Sequence, residues 1–389
     1  MSIPISERVS TLRPTAVNSI LAEVRAVTTP VVSLMRGEPD LKTPAHIVEA
    51  AQRALANGRT GYPDNRGEIK LREAVASKLA RENSVRYDPA SEILITPGAT
   101  FGIHVALSAM LNPGDDVLVP DPVYDAYLSP IRLAGAEPRA VASSIVDGRF
   151  TISLESLEAA RTPQTKAMLL NTPWNPTGTV FTRAELEAIG DFCIRHNITL
   201  IADEIYEAIV YEGNVHISPS ALSDELRARA VLVNALSKTY AMTGWRVGYV
   251  AAPAAFVSAM FLILQQSSRG PATFVQDAAA VALNGPQDCV ADMRAEYTKR
   301  RALVLSELRE QGALAPEGGF FAMVDARSLG VSSNEIRRRL LTEFGVVVVH
   351  GAAYGPGGEG TLRVSFAAGG ATLEEGLRRV KAGLIAIAQ

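Results

Sequence analysis

The sequence predicts an α/β protein with a large domain, whose mostly parallel mixed sheet is covered by helices, and a smaller α+β domain. Two observations predict this fold. From Glu92 onward, short apolar runs typical of buried strands alternate with longer helical patterns, as in parallel sheets that are covered on both faces. After about residue 280, arginine-rich helical patterns surround shorter strand candidates instead.

The strand candidates of the large domain are apolar throughout, and several of them end in a polar residue. They lie in EILITPGAT from Glu92, DDVLVPDPV from Asp115, KAMLLNTPW from Lys166, NITLIADEI from Asn197, and twice in the segment that begins at Ala228. Asn171, Asp203 and Lys238 each follow such a run. Ligands of open α/β sheets bind at the carboxyl ends of the strands, so these polar residues mark the expected site.

The small domain is predicted from strand candidates FFAMVD, VVVVH and TLRVSF, which alternate with the helical patterns ADMRAEYTKRRALVLSEL and NEIRRRLLTEF. The expected division assigns residues 46–280 to the large domain. Residues 1–45 and 281–389 form the N-terminal arm and the small domain, with the arm packed on or across that domain.

Composition excludes several classes of protein. The net charge of -3 gives no excess of positive charge for nucleic acid or an anionic membrane surface. The only cysteines, Cys193 and Cys289, are too few for a disulfide framework or a cysteine-built metal site, and no metal is expected. The N-terminal segment lacks the apolar stretch of a signal peptide, and no apolar run suits a membrane span, so a cytoplasmic protein is expected.

The string GPGGEG from Gly355 fits the G-x-G-x-x-G pattern of dinucleotide sites. That pattern requires a strand before it and a helix directly after it. Here the strand candidate TLRVSF follows, so a hairpin or a loop is the expected structure.

Lys238 follows a buried-looking strand in the segment NALSKTYAMTGWRVGY. A lysine in a cleft can form a Schiff base with an aldehyde cofactor, whereas an ordinary lysine lies at the surface. Both alternatives stay open for this segment alone. Arg246, a few residues further on, can bind a phosphate through two parallel hydrogen bonds.

Four other positions each have a functional and a structural interpretation. Asp203 can keep a cofactor's ring nitrogen protonated, or it can cap a helix. Asn175 can bond a ring hydroxyl, or it can be a turn residue before Pro176. The turn at Gly98 can present backbone N–H groups to a phosphate, but such turns are common. Arg363 can clamp a carboxylate, or it can point outward into solvent.

Taken together, these segments resemble the class I and II aminotransferases, which are pyridoxal-phosphate (PLP) enzymes of fold type I. The most specific element is SKTYAMTGWRVGY, followed by NTPWNPTG, ADEIYE and LRVSF, with support from GEPD and TGYPDNRG. All of them stand in the family's order, and the resemblance runs from about residue 30 to the C-terminus.

The resemblance implies PLP as the cofactor and a role for each matching residue. Lys238, Asp203 and Tyr206 are the implied catalytic residues. Lys238 forms the Schiff base and moves a proton, Asp203 pairs with the ring nitrogen, and Tyr206 bonds the ring hydroxyl together with Asn175. The other implied cofactor contacts are Ala99, Thr100, Ser237 and Arg246 at the phosphate, Tyr124 stacked on the ring, and Tyr62 of a partner subunit at the phosphate.

The implied substrate contacts are Arg363 and Asn175 at the α-carboxylate and Gly37 through its backbone. Because Tyr62 is implied to act in a neighbour's site, the expected active unit is a homodimer.

Four departures from the family's pattern leave the substrate open. Thr100 stands where relatives that prefer acidic substrates often carry lysine, and His350 stands where proline is usual. Arg36 precedes Gly37 where many relatives have a small or apolar residue. Arg269 lies in a segment expected near the dimer interface. Arg36 and Arg269 are therefore candidates for binding an acidic group of the substrate, with structural salt bridges as the alternative.

The predicted function is a PLP-dependent aminotransferase, which moves an amino group from an amino acid to a 2-oxo acid by a ping-pong mechanism. A lyase on the same fold and a non-catalytic PLP-binding module are the alternatives.

Overall fold

The computed structural model describes residues 3–28 and 30–389. Its strands are β1 (Val32–Ser33), β2 (Ile93–Thr96), β3 (Asp116–Asp121), β4 (Glu137–Val146), β5 (Arg149–Ile152), β6 (Thr165–Asn171), β7 (Thr199–Asp203), β8 (Ala230–Ala235), β9 (Gly248–Ala251), β10 (Phe321–Asp325), β11 (Val346–Val347), β12 (Val349–His350) and β13 (Thr361–Ser365). Within those residues, no helix is both long and apolar enough to cross a membrane.

The helices alternate with the strands through most of the chain. They are α1 (Glu7–Ser10), α2 (Ala16–Val24), α3 (Ala45–Ala56), α4 (Ile69–Glu82), α5 (Ala99–Met110), α6 (Leu128–Leu133), α7 (Leu154–Ala160), α8 (Arg183–Arg195), α9 (Asp224–Arg227), α10 (Leu236–Thr239), α11 (Ala254–Ser267), α12 (Thr273–Asn284), α13 (Asp288–Leu308), α14 (Ser333–Phe344) and α15 (Gly370–Ile387).

The large sheet has eight strands in the order β2-β9-β8-β7-β6-β3-β4-β5. The pairs from β8 to β4 are parallel, whereas β9 pairs antiparallel with both of its neighbours. Strands β2, β3, β8 and β9 are buried along their whole length, because helices cover both faces of the sheet. The predicted α/β fold with a mostly parallel mixed sheet is confirmed.

Separate apolar cores hold the helices to the two faces. One core joins α5 and α11 to the sheet, and another joins α3, α4 and α12 to the opposite face of β2 and β9. The helix α8 packs in a further core, and its N-terminus carries a capping box made by Thr182 and Glu185.

The C-terminal region builds a three-stranded antiparallel sheet in the order β10-β13-β12, which packs on α13, α14 and α15. The arm joins this unit. The strand β1 pairs in parallel with β11, and α2 packs through Ile20 on a core that also contains Leu341 and Val347. The domain boundaries near residues 45 and 280 stay a prediction.

The strands named from the sequence are confirmed, and GPGGEG forms short turns that lead into β13, as expected for a loop. The hairpin of β4 and β5 was not predicted. Its first strand consists mostly of exposed and partly buried residues, and only Val141 is fully buried, because the strand lies near the end of the sheet.

Gly248 lets β9 pass close to the turn that precedes α5. A Cβ atom at this position would lie 2.8 Å from the Asn234 carbonyl oxygen and 2.9 Å from the Ala99 nitrogen, both backbone atoms. Gly248→Ala should therefore lower the free energy of unfolding by about 1–3 kcal/mol. Thermal or denaturant unfolding measures this change.

Gly244→Ala is the matched control, because a Cβ atom at Gly244 would meet nothing within 4 Å. It should leave stability nearly unchanged. Equal stability of the two variants would contradict the close approach of β9 to the turn.

Candidate active site

The carboxyl ends of the parallel strands open into a cavity of about 520 Å³. Because Asn171 and Asp203 are in register at the ends of β6 and β7, their side chains reach the same edge of the sheet. The cavity brings together all the predicted site residues except Tyr62 and Arg269: Arg36, Gly37, Ala99, Thr100, Tyr124, Asn175, Asp203, Tyr206, Ser237, Lys238, Arg246 and Arg363.

Lys238 lies on α10, one turn beyond the end of β8, and its side chain enters the cavity. The Nζ atom donates a hydrogen bond to the Gly37 carbonyl oxygen at 2.6 Å and lies 5.7 Å from the centre of the Phe320 ring. Burial lowers the pKa of this amine to about 8, while Glu38 opposes the shift. A lowered pKa favours the neutral amine, which is the form that attacks an aldehyde or accepts a proton.

Asp203 is buried at the end of β7. Burial raises the pKa of its carboxyl group to about 6, while hydrogen bonds from the Tyr127 hydroxyl and the Ile205 N–H act in the opposite direction. The Tyr127 hydroxyl donates to Oδ2 at 2.5 Å, and the Ile205 N–H donates to Oδ1 at 3.2 Å. This carboxylate faces the cavity without a basic side chain bonded to it among the described residues, so a cation in the cavity would stabilise it.

The N-terminus of α5 and the Arg246 side chain form one end of the cavity. Arg246 has a left-handed φ of 54°, and its guanidinium donates to the Thr243 carbonyl oxygen at 3.0 Å. A Cβ atom on Gly98 would lie 2.7 Å from the Arg246 Nη2 atom, so glycine at this position lets the guanidinium lie beside the turn. Helix N–H groups, the Ser237 hydroxyl and this guanidinium together suit a phosphate group.

Arg363 comes from β13 and is buried rather than solvated. Its Nη1 atom donates to Asn175 Oδ1 at 3.2 Å, and its Nη2 atom donates to the Met35 carbonyl oxygen at 2.6 Å. The guanidinium carbon lies 4.1 Å from the centre of the Phe321 ring. Its Nε atom is buried and has no hydrogen-bond partner among the described residues. A carboxylate in the cavity would satisfy this group.

Three guanidinium groups line the cavity, those of Arg36, Arg246 and Arg363. Within residues 3–28 and 30–389, none of them forms an ion pair with a carboxylate of the protein. Cations that line a cavity without an ion-pair partner favour the binding of anions. The cavity therefore suits more than one anionic group at the same time.

Tyr62 and Arg269 lie outside the cavity. Tyr62 is 89% exposed, and the Arg269 guanidinium carbon lies 6.0 Å from the centre of its ring. The structure thus brings these two predicted residues next to each other, but on the surface of the chain.

A buried ionic network supports the strand end that carries Asp203. The carboxylate of the following residue, Glu204, accepts a bond from Asn83 at 3.1 Å. Glu207 accepts bonds from Asn83 and Asn234, each at 2.7 Å, and also from the Lys78 ammonium group. Because α4, β7 and β8 share this network, the ends of the strands before Asp203 and Lys238 are held together.

The cavity fits the groups of PLP that the sequence implied. The unpaired Arg246 beside the α5 N-terminus suits the phosphate, the Lys238 amine suits the aldehyde, and the buried Asp203 suits a protonated ring nitrogen. Tyr206 is buried and contacts the cavity, where its hydroxyl is available to the ring oxygen.

Tyr127 and Asp125 are among the cavity residues that sequence reasoning missed. They follow the predicted stacking residue Tyr124 in a short 3-10 turn. Tyr127 bonds Asp203, and Asp125 accepts a bond from the Ala16 N–H at 2.6 Å. The cluster of polar and aromatic residues directly after the apolar strand β3 is a signal that could have identified both residues. Tyr124 was predicted from the family resemblance alone.

Comparisons with known proteins agree with this geometry. Residues 29–380 match the family described as aminotransferase class I and II. The chain is 38% identical to aromatic-amino-acid aminotransferase 2 of Thermococcus litoralis, over 97% of each protein. It is also 38% identical to an aspartate aminotransferase of Pyrococcus abyssi, again over 97% of each. The solved structure of a Thermus thermophilus aspartate aminotransferase with maleate is similar at a TM-score of 0.91 and 35% identity, and covers 98% of this chain and 100% of that one.

Tyr127→Phe removes the hydroxyl that donates a hydrogen bond to Asp203 Oδ2 and keeps the aromatic ring. The ionised form of the Asp203 carboxyl group should therefore be less stable. The rate of the first half-reaction should fall by about 10-fold, the usual effect of losing a hydrogen bond to a charged group. The pKa of Asp203 should rise further, because the Tyr127 bond holds it down. The acidic limb of the pH–rate profile should therefore move to higher pH.

Tyr124→Phe is the control for this measurement. The Tyr124 ring packs edge-on against Tyr127 at 5.2 Å, but its hydroxyl makes no hydrogen bond to Asp203. An acidic limb that moves equally in both variants would show that the shift does not come from the hydrogen bond between Tyr127 and Asp203.

Proposed function

Because this chain belongs to the class I and II aminotransferases, we propose which of its residues carry out the transfer and which substrates they select. The chain is a PLP-dependent aminotransferase, an enzyme that moves an amino group from an amino acid to a 2-oxo acid by a ping-pong mechanism. The two substrates bind in turn to the same cavity.

PLP supplies an aldehyde carbon that condenses with amines and a protonated ring that withdraws electrons from the substrate Cα. Lys238 would hold the aldehyde group of the cofactor. When a substrate amine takes its place, the Lys238 Nζ atom would be free to accept the proton of the substrate Cα and to return it. The lowered pKa of about 8 supports this role, because the neutral amine accepts a proton near neutral pH.

Asp203 would hold the proton on the ring nitrogen, and the Tyr206 hydroxyl and the Asn175 amide would bond the ring hydroxyl. Tyr124 would stack on the ring. The phosphate would be held by Ala99, Thr100, Ser237 and Arg246. These assignments rest on the position of each group in the cavity.

The substrate α-carboxylate binds to Arg363 and Asn175, which are already joined by a hydrogen bond of 3.2 Å. Gly37 contacts the substrate through its backbone. Its carbonyl oxygen accepts a hydrogen bond from the Lys238 amine, so this contact lies next to the reacting amine. Fixing the α-carboxylate orients the Cα–H bond toward Lys238, which lowers the entropy cost of proton transfer.

The substrate class follows from the third unpaired arginine of the cavity. Arg246 is assigned to the cofactor phosphate and Arg363 to the α-carboxylate, which leaves Arg36 for a further anion. An acidic group at the distal end of an amino acid or a 2-oxo acid meets this requirement. The Thermus relative was solved with maleate, a dicarboxylate, which supports the same choice.

Tyr62 and Arg269 act in the cavity of a partner subunit, and the active enzyme is a homodimer. Neither residue reaches the cavity of its own chain, and Tyr62 is exposed on the surface. The Arg269 guanidinium carbon lies 6.0 Å from the centre of the Tyr62 ring, so both residues could enter the same neighbouring site. Arg269 would then add a second cation to the distal group. The enzyme works in the cytoplasm on small-molecule substrates.

Lys238→Ala should fold and still bind PLP, but the half-reaction should slow by several orders of magnitude, since the proton shuttle is lost. The measurement mixes the PLP-loaded enzyme with an amino acid in the absence of an acceptor. In the parent enzyme, the absorbance of the cofactor should change in a single turnover, with an amplitude proportional to the enzyme concentration. No ammonia should be released. Continuous ammonia release would identify a lyase, and a normal rate in Lys238→Ala would remove Lys238 from the mechanism.

Arg36→Leu and Arg269→Leu test the substrate class. Each should lower kcat/KM for dicarboxylic substrates by roughly 30- to 1000-fold, since each removes a charge-assisted contact. Alanine and aromatic amino acids should be nearly unaffected. Arg294→Leu is the control, because Arg294 is an exposed residue of α13 outside the cavity. Equal losses on charged and uncharged substrates, or a loss of stability alone, would make both arginines structural.

A further inference from the structure

We propose that Asp125 is a positioning residue that holds α2 across the mouth of the cavity and so encloses the side chain of the substrate. The inference rests on the proposed function, in which this cavity binds the substrate amino acid. It concerns a contact between two parts of the chain that are far apart in sequence, Asp125 and Ala16.

The helix α2 is anchored on the small-domain side of the cavity. Ile20 packs with Leu341, Val347 and other residues of that side. Near the end of the helix, Glu23 pairs with Arg337 of α14 at 2.9 Å, and the Arg337 side chain is almost fully buried. This end of α2 is therefore attached to α14.

The opposite end of α2 reaches over the cavity to the loop after β3. Thr15, Val17, Asn18 and Leu21 line the cavity, and the Ala16 N–H donates to Asp125 Oδ2 at 2.6 Å. In the described part of the chain, no other hydrogen bond joins α2 to this loop. A single charge-assisted bond thus joins α2 to this loop, while Ala16 and Val17 also pack against the core that contains Ile20.

Physical chemistry favours this bond. The first N–H groups of a helix lack partners within the helix, and a carboxylate there also interacts with the positive end of the helix dipole. The Thr15 side chain does not cap the helix, so Asp125 supplies the acceptor from across the cavity. Burial raises the pKa of Asp125, and the nearby Arg363 guanidinium opposes this shift.

The contact matters for substrates whose side chains extend to α2. Asp125 stands next to Tyr124, so the bond sets the distance between the helix and the residue assigned to the cofactor ring. When the bond is lost, α2 should open and the substrate should dissociate faster. KM should rise more than kcat falls, and the rise should be larger for dicarboxylic and aromatic substrates than for alanine.

Ala16→Pro is the sharpest test, because it deletes the N–H donor and leaves every charge of the cavity in place. Proline is favoured at the first position of a helix, where its fixed φ suits the helix. Thr15 has φ -62° and ψ 153°, which is a conformation that a residue before proline adopts readily. Ala16→Ser is the matched control, because it keeps the N–H.

Asp125→Ala removes the same bond from the other side. Ala16→Pro and Asp125→Ala should each raise KM for long substrates by about 10-fold, and the double variant should be no worse than either one. Asp125→Asn keeps an acceptor for the N–H and should recover most of the affinity. Additive effects in the double variant, or an unchanged KM in Ala16→Pro, would overturn the proposal.

Hydrogen–deuterium exchange of the peptide that covers Ala16–Val24, measured on the PLP-loaded enzyme without substrate, gives a second readout. Exchange should accelerate in Ala16→Pro and Asp125→Ala, but not in Ala16→Ser. Because no substrate is present, this result does not depend on the assigned substrate class. Unchanged exchange in both variants would show that the bond does not hold α2, even if the Arg36 experiments succeed.

Discussion

The structure of this site depends on a carboxylate that is buried at the end of a strand. Taking Asp203 out of water is costly, and its raised pKa of about 6 expresses that cost. The Tyr127 hydroxyl and the Ile205 N–H offset only part of it. A protonated ring nitrogen in the cavity would offset much of the rest, so the burial of Asp203 would favour the cationic form of the ring. The neighbouring network around Glu204 and Glu207 keeps this strand end in place.

Charged side chains of both signs line the cavity. The cationic groups Arg246, Arg363 and Arg36 find no carboxylate of the described chain at ion-pair distance. Anionic groups of the cofactor and the substrate would pair with these cations. Anions that are held at fixed positions orient the Cα–H bond of the substrate. Lys238 benefits too, because burial and the nearby Arg246 both disfavour its charged form.

Much of this arrangement could be predicted from the sequence, and the reasons are local. A buried parallel strand is a continuous apolar run, and the residue that ends it lies at the edge where ligands bind, which is why Asn171, Asp203 and Lys238 could be identified. Position in a strand did not by itself show that Arg363 is buried, since a charged residue in a strand usually faces solvent. Its orientation depends on the packing of Phe321 and Tyr354 against the guanidinium. The bonds of Tyr127 and Asp125 join segments that are distant in sequence, which local patterns do not reveal.

The loop from Asp121 to Tyr127 connects the small domain and the N-terminal arm to Asp203. Asp121 accepts a bond from the Gly357 N–H at 2.9 Å, and the Val123 N–H donates to the Tyr354 carbonyl oxygen at 2.7 Å. Asp125 and Tyr127 continue the series toward α2 and Asp203. Three bonds of this loop reach the C-terminal unit or α2, and the bond of Tyr127 reaches Asp203. Hydrogen bonds of ordinary strength therefore connect residues at the mouth of the cavity with the carboxylate assigned to the ring nitrogen.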